Sequence, residues 1–161
     1  MPVPPFITEL RARVGHDLLW LPGVTGAVFD DEERLLLVRR VDTGRWALVS
    51  GILEPGEQPA VALVREITEE TGVHAEVLAL AGVRAGQPVT YPNGDVAQYL
   101  DLTFWCRYVA GEATVSDDES SDVGWFALDD LPADLAESSR RRLRDTLEFR
   151  QDPAAGPAFD R

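Results

Sequence analysis

The spacing of apolar and polar residues predicts an alternation of strands and helices. Short runs of β-branched and aromatic residues are typical of strands, whereas apolar residues three and four positions apart are typical of helices. No segment repeats. The pattern predicts strands at 24–29, 35–38, 46–49, 75–84, 96–108 and 123–128, and helices at 4–14, 58–71 and 132–149. Many strands with a long central and a C-terminal helix favour an α/β fold, a mixed sheet with helices packed on it.

Turn signals and composition set the expected boundaries. An acidic turn at 30–33 predicts a hairpin, and Gly72 stands where a helix would stop. We expect an N-terminal helical segment at 1–18, one domain at 19–150 and a flexible tail at 151–161. In the first segment Ile7, Leu10 and Val14 share one side of the helix, and Asp130 is expected to cap the last helix. The tail is rich in Pro, Ala and Gly, which predicts fraying.

The charge narrows the range of functions. A net charge of −13 argues against a protein that holds nucleic acid by its phosphates. All 15 basic residues are arginine, so a phosphate-loop lysine and a Schiff-base lysine are excluded. An acidic protein can still bind a polyanionic substrate if divalent cations lie between the two, which is a first indication of a metal.

Cysteine usage and hydropathy bear on the compartment. No run approaches the roughly 20 apolar residues of a membrane helix, and the start of the chain lacks the plan of a signal peptide. Cys106 stands alone, in an apolar run that predicts a buried structural thiol. The sequence therefore predicts a cytoplasmic protein without a membrane partner.

Three glutamates share one face of the central predicted helix. At about 100° per residue, Glu66, Glu69 and Glu70 fall within one arc, opposite an apolar face. Like charges at these spacings repel, and the C-terminal half of a helix disfavours anions. Clustered carboxylates are ligands that Mg²⁺ or Mn²⁺ prefers, so the arrangement indicates a metal site. The alternative is a solvated acidic face.

The flanking residues favour the metal site over that alternative. Residues 51–73 match all nine specified positions of the signature G-x5-E-x7-R-E-U-x-E-E-x-G-U, where U is aliphatic. A chance match is on the order of 10⁻⁸ per starting position. The chain thus resembles the Nudix hydrolase family, and segments 38–40, 44–48 and 125–132 look like flanks of the same family.

The resemblance implies a fold, a reaction and a cofactor. The fold would be an α/β/α sandwich with a mixed, mainly antiparallel sheet, and residues 19–150 would be the Nudix domain. The reaction would be hydrolysis of a nucleoside diphosphate linked to another moiety, with Mg²⁺ as cofactor and Mn²⁺ able to substitute. ADP-ribose-like compounds, nucleotide sugars and nucleoside triphosphates are all open as substrates. A homodimer is common in the family.

The resemblance also implies roles for residues of the signature. Glu69 and Glu70 would be metal ligands, and Glu66 would be a third ligand or the base that deprotonates water. Arg65 would orient the glutamates through ion pairs, and Glu57 would support the site from the loop.

Residues outside the signature add further expectations. The carbonyl of Ser50 would join the metal shell, although the family usually has Pro-Gly-Gly where this chain has Val-Ser-Gly. In the acidic run 117–122, Glu119 and Asp122 are candidates for a metal contact or base, against a plain solvated loop. Tyr91 at the predicted turn 91–95 could contact the substrate or only serve a hairpin.

Two more residues and two rival functions stay open. Arg39 and Trp46 could line a nucleotide pocket, though Trp46 could equally be core. A Nudix-like nucleotide-sensing or binding module without turnover is the main alternative, but such domains usually lose the glutamates. An isopentenyl diphosphate isomerase shares the fold, yet it needs a reactive cysteine and further metal ligands.

Overall fold

The structure, a computed structural model, describes residues 4–160. Residues 1–3 of the predicted N-terminal segment and residue 161 of the predicted tail lie outside this range. The helices are α1 (Pro5–Val14), α2 (Pro59–Thr71) and α3 (Glu137–Gln151). The strands are β1 (Leu19–Phe29), β2 (Leu35–Arg40), β3 (Trp46–Ala47), β4 (Val49–Ile52), β5 (His74–Ala85), β6 (Val89–Thr90), β7 (Val96–Ala110) and β8 (Ser120–Phe126).

The eight strands form one mixed sheet. Its main path runs β3-β2-β1-β7-β5, with β4 paired to β1, β6 to β7 and β8 to β2. β1 and β7 run parallel from Leu19 opposite Ala97 to Phe29 opposite Arg107, and every other pairing is antiparallel. The predicted mixed, mainly antiparallel sheet is confirmed.

Helices cover both faces of the sheet because its central strands are apolar on both sides. Along β1, Val24 and Val28 pack with Leu63 and Ile67 of α2 on one face. The residues of opposite parity in β1 and β2 pack on the other face around α3, in a cluster of Ala27, Phe29, Leu35, Leu37, Leu48, Leu135 and Leu143. Side chains of a strand alternate between faces, so one strand serves two cores. The α/β/α sandwich is confirmed.

The N-terminal helix forms over the predicted residues but buries less than expected. Ile7 is buried with Leu21 and Ala97, whereas Leu10 and Val14 are each 38% exposed. The apolar side shared by Ile7, Leu10 and Val14 is therefore buried only at Ile7. α1 lies on the end of β1 and β7 and not on the centre of the sheet.

Two predicted elements differ in extent. The strand predicted at 46–49 is divided between β3 and β4. The last helix begins at Glu137 and not near residue 132, because Ala136 uses its backbone N–H to bond the Trp46 carbonyl. Asp130 therefore caps no helix, and the helix has no side-chain cap.

The C-terminal tail is held to the sheet. A short 3-10 helix follows α3 at Pro153–Ala155. The backbone of Ala158 then accepts a hydrogen bond from Val83 and donates one to Ala81, and Asp160 pairs with Arg84. β5 ends the main path of the sheet, so its outer backbone groups need partners. The backbone at Ala158 therefore covers this edge, and the flexibility expected of residues 151–161 stays a prediction.

Candidate active site

The central helix presents both a core face and a site face. Pro59 begins α2 at a position where its missing N–H costs nothing, and Gly72 ends it at φ 68° in the left-handed region. Leu63 and Ile67 are fully buried against the sheet. Glu66 and Glu70, one turn apart, are also buried, at 2% and 6% exposure. The helix thus carries two carboxylates out of bulk solvent.

Glu66 lies directly against the backbone of β4. A Cβ placed on Gly51 would come 2.1 Å from the Glu66 Cδ atom, so the Glu66 carboxylate would have to move. Glycine at the first position of the signature therefore allows this close approach. This contact fixes where the Glu66 carboxylate meets the sheet.

Arg65 holds three carboxylates at once. Its guanidinium donates to both oxygens of Glu57 at 2.9 and 3.0 Å. It also lies 3.0 Å from Glu66 and 3.1 Å from Glu69. A planar fork of donors suits this bridging role, which a lysine could not fill. Arg65 therefore bridges Glu57 of the loop to Glu66 and Glu69 of α2.

Glu69 does not join the other two glutamates. Its side chain is 46% exposed and bonded to Arg65, and it is absent from the cavity lining. Glu66 and Glu70 both line a cavity of about 520 Å³. Their spacing along the helix grouped all three glutamates, because spacing reflects only the angle around the helix axis and not the neighbours of each side chain.

Burial changes the acidity of the two cavity glutamates. Loss of solvent raises the pKa of Glu66 to about 7, although Arg65 opposes the shift. Burial also raises the pKa of Glu70 to about 8, and the negative charges of Glu66, Asp117 and Glu119 add to the effect. A carboxylate with a pKa near neutrality is suited to accept a proton from water.

The residues of the acidic run 117–122 differ in whether they lie near the cavity. Glu119 lines the cavity, and Asp117 lies close enough to raise the pKa of Glu70. Asp122 is exposed in β8 opposite Arg39, and its carboxylate accepts a hydrogen bond from the Val123 N–H. Asp117 was missed by sequence reasoning, although it belongs to the same acidic run that suggested Glu119.

Of the residues expected to contact the substrate, some line the cavity and others do not. Tyr91 lines the cavity, with its hydroxyl 2.8 Å from that of Tyr99. Arg39 is outside the cavity, where it donates to the Gly44 carbonyl. The ladder between β2 and β8 shifts register after Arg39, and the next residue, Arg40, lines the cavity instead.

Trp46 belongs to the core on the α3 side. Its ring packs edge to face on Phe126 at a centroid distance of 4.7 Å, and it does not line the cavity. The sequence left both interpretations open, and the structure places the side chain with the core.

The carboxylate oxygens that line the cavity are the type of ligand that a hard divalent cation prefers. No three His, Cys, Asp or Glu side chains within residues 4–160 are already gathered as a group that could hold a metal ion. Glu66 and Glu70 are nevertheless buried carboxylates whose mutual repulsion a divalent cation would relieve. Ser50 also lines the cavity. Its φ angle is not positive, since Glu33 is the one non-glycine residue with positive φ among the described residues.

Glu119 and Asp122 provide a matched pair for a test of the loop. Glu119→Gln is expected to slow hydrolysis roughly 10²-fold or more, because it removes a carboxylate that faces the cavity. Asp122→Asn is expected to be neutral, because Asp122 points elsewhere. Steady-state rates over pH 6 to 9 test both. Wild-type rates for both variants would show that the loop is only a solvated acidic segment.

Comparison with known proteins assigns the family. The profile of the NUDIX domain matches residues 20–147. A MutT-like protein of Streptomyces ambofaciens is 38% identical over 134 residues, which cover 83% of this chain and 78% of that protein. A putative 8-oxo-dGTP diphosphatase of Bacillus subtilis strain 168 is 30% identical and covers 83% and 85% respectively.

The fold agrees with that assignment. The crystal structure of a MutT NUDIX hydrolase from Burkholderia pseudomallei superposes with a TM-score of 0.67 at 30% identity, over 79% of this chain and 98% of that one. The chain therefore belongs to the Nudix family and is a Nudix hydrolase.

No helix within residues 4–160 is long and apolar enough to cross a membrane.

Proposed function

We propose that this hydrolase cleaves the diphosphate linkage of a nucleoside diphosphate derivative with the help of Mg²⁺ or Mn²⁺. The observation that carries the proposal is a pair of buried carboxylates with raised pKa values, Glu66 and Glu70, at one end of a cavity of about 520 Å³. That volume falls in the usual range for a small-molecule site. The relative from Bacillus subtilis, which carries the name of a nucleoside triphosphate diphosphatase, supports the substrate class.

Each residue of the site has a part in the proposed mechanism. A bound divalent cation would neutralise the diphosphate and acidify a water molecule, and Glu66, Glu70 and the Ser50 carbonyl would hold it. Glu69 could join this set only by leaving Arg65. Glu119 would take the proton of the attacking water, or Glu66 would do so if it is the base and not a ligand. Arg65, held by Glu57, keeps the Glu66 carboxylate in place against Gly51.

The rival functions make different demands on the residues. An isomerase mechanism needs a reactive thiol, but Cys106 is fully buried and burial raises the pKa of its thiol to about 12. A binding module without turnover does not need the full set of signature glutamates, whereas Glu66, Glu69 and Glu70 are all present. Both observations favour hydrolysis.

A substrate panel tests the proposal. Nucleoside triphosphates, ADP-ribose and nucleotide sugars are incubated with Mg²⁺, with Mn²⁺ and with excess EDTA, and products are identified by mass spectrometry. We expect cleavage of a diphosphate linkage with either ion and none with EDTA. Undiminished turnover in EDTA would refute the metal mechanism, and binding without any turnover would favour the sensing module.

Three wider expectations belong to the same proposal. We propose a domain spanning 19–150, a cytoplasmic location and the homodimeric state that is common in the family. Light scattering on the purified protein tests the dimer directly. A monomeric mass across the working concentration range would remove the dimer and leave the site unaffected.

A further inference from the structure

Arg142, an arginine of α3, lines the proposed substrate cavity. The Arg142 Nε atom donates to the Asp101 carboxylate at 2.7 Å, and both residues line the cavity. Asp101 is 6% exposed and also accepts hydrogen bonds from the hydroxyls of Thr25, at 2.7 Å, and Thr103, at 3.0 Å. Three donors therefore fix the carboxylate, and the carboxylate fixes the arginine.

Arg142 differs from the other two arginines of the cavity. Arg11 spends both terminal nitrogens on backbone carbonyls of 15, 17 and 96. Arg40 is bonded through Nε and Nη2 to Asp42. Neither terminal nitrogen of Arg142 has a hydrogen-bond acceptor within residues 4–160. Its four remaining N–H groups are thus oriented donors at the surface of the cavity.

The wall near this arginine is apolar and aromatic. Ile7, Leu21 and Ala97 are packed together with Tyr91 and Tyr99, and all five line the cavity. The two tyrosine hydroxyls are bonded to each other. This wall favours a planar, uncharged ring over a phosphate or a sugar.

Glu66 and Arg142 line the same cavity but approach it from different faces of the sheet. Asp101 of β7 lies opposite Gly23 of β1, on the face that Arg142 of α3 reaches. Gly51 of β4 lies opposite Val24 of β1, on the face covered by α2, and backs Glu66. Because one cavity of about 520 Å³ contacts both groups, a substrate with its diphosphate at Glu66 can extend a sugar and a ring towards Arg142.

We propose that Arg142 selects nucleotide derivatives whose base presents a carbonyl oxygen, such as 6-oxopurines and 4-oxopyrimidines. An arginine has only donors, so it pairs with a ring carbonyl and leaves an amino group at the same position unpaired. Asp101 is a positioning residue that aims the guanidinium. This inference rests on the proposed function only in taking the substrate to be a nucleotide derivative.

Binding of nucleoside monophosphates tests the inference without any turnover. Inosine and adenosine 5′-monophosphates differ in the 6-oxo or 6-amino group and in the adjacent ring nitrogen, which carries hydrogen only in the oxo form. The uridine and cytidine pair differ in the same way at positions 4 and 3. By titration calorimetry we expect the oxo member of at least one pair to bind about tenfold tighter or more, the size of one bidentate base contact. Equal affinities within both pairs, or no binding at millimolar concentrations, would overturn the proposal.

Substitutions then assign the preference to Arg142. Arg142→Met is expected to erase the oxo preference, while Arg144→Met, at an exposed position on the same helix, is expected to keep it. A uniform loss for all four ligands would place Arg142 on the phosphate or sugar and refute the base contact.

A second variant covers the case in which Arg142→Met fails to fold. Arg142→Lys keeps a positive charge opposite Asp101 but removes the planar fork, so the oxo preference is expected to fall. A preference unchanged in Arg142→Lys would overturn the assignment. A failed hydrolysis panel with an intact oxo preference would instead refute the proposed reaction and leave this inference standing.

Discussion

Glu70→Gln is expected to lose hydrolysis by several orders of magnitude while the metal-free protein at pH 8 becomes more stable than the wild type. Turnover falls because the variant loses one of the two buried carboxylates that face the cavity, and metal-assisted electrostatics supply most of such a rate enhancement. Stability rises because burial and three neighbouring negative charges oppose ionisation of Glu70, and Gln keeps the shape without the charge.

Controls separate this result from a general effect of charge. Glu76→Gln removes an exposed glutamate of β5 that pairs with Arg107 of β7, so rate and stability are expected to stay near those of the wild type. Glu66→Gln is expected to lose as much activity as Glu70→Gln. Its gain in stability is expected to be smaller than that of Glu70→Gln, because it also loses the ion pair with Arg65. Urea denaturation in EDTA and rates with Mg²⁺ measure both quantities. A Glu70→Gln protein that unfolds more easily yet turns over normally would show that the acidic face is structural.

In the absence of divalent ions, the free energy of unfolding is expected to fall as pH rises from about 5 to about 9. The pKa values of Glu66 and Glu70 in the folded protein are about 7 and about 8, above the ordinary value of 4.5. The folded state therefore binds more protons than the unfolded state in this window. The stabilisation is complete below the unfolded pKa and is lost as pH passes the folded values, on the order of a few kcal/mol in total.

Other acids do not obscure this trend. The pKa values of Asp42 and Glu57 are lowered by hydrogen bonds from arginines, so their contributions change below about pH 4.5, outside the window. Urea denaturation in EDTA at pH 5, 7 and 9 measures the slope, and Glu70→Gln is expected to flatten it. Addition of Mg²⁺ at pH 8 is expected to restore stability by favouring the ionised carboxylates. Stability that rises steadily from pH 5 to 9 in EDTA would contradict the raised pKa values.

The family and the main elements could be predicted from the sequence because they depend on local patterns. Strand and helix periodicities predicted α2 with its stop at Gly72, and the long strand β7. The signature at 51–73 implied the Nudix family, which the profile match at 20–147 shows. These features reside in spacing along the chain, so one sequence is enough to show them.

The make-up of the site depended on contacts between distant segments. Helical periodicity placed Glu69 beside Glu66 and Glu70, but Arg65 holds Glu69 outside the cavity. The signature marked Gly51 without its reason, which is the approach of a glutamate from α2 to the backbone of β4. Arg65 and Glu69 are four residues apart on one helix, so their ion pair follows local spacing. The exclusion of Glu69 from the cavity and the approach of Glu66 to Gly51 depend instead on how α2 packs on β4.

The remaining surprises have the same cause. Arg40 lines the cavity in place of Arg39, and the two are neighbours in β2, where successive side chains point to opposite faces. Arg142 is one of several arginines in α3, and the pairing of β1 with β7 brings Asp101 within its reach. Which arginine meets the substrate is decided by strand register and helix packing, since these set the direction of a side chain, whereas sequence sets only its chemistry.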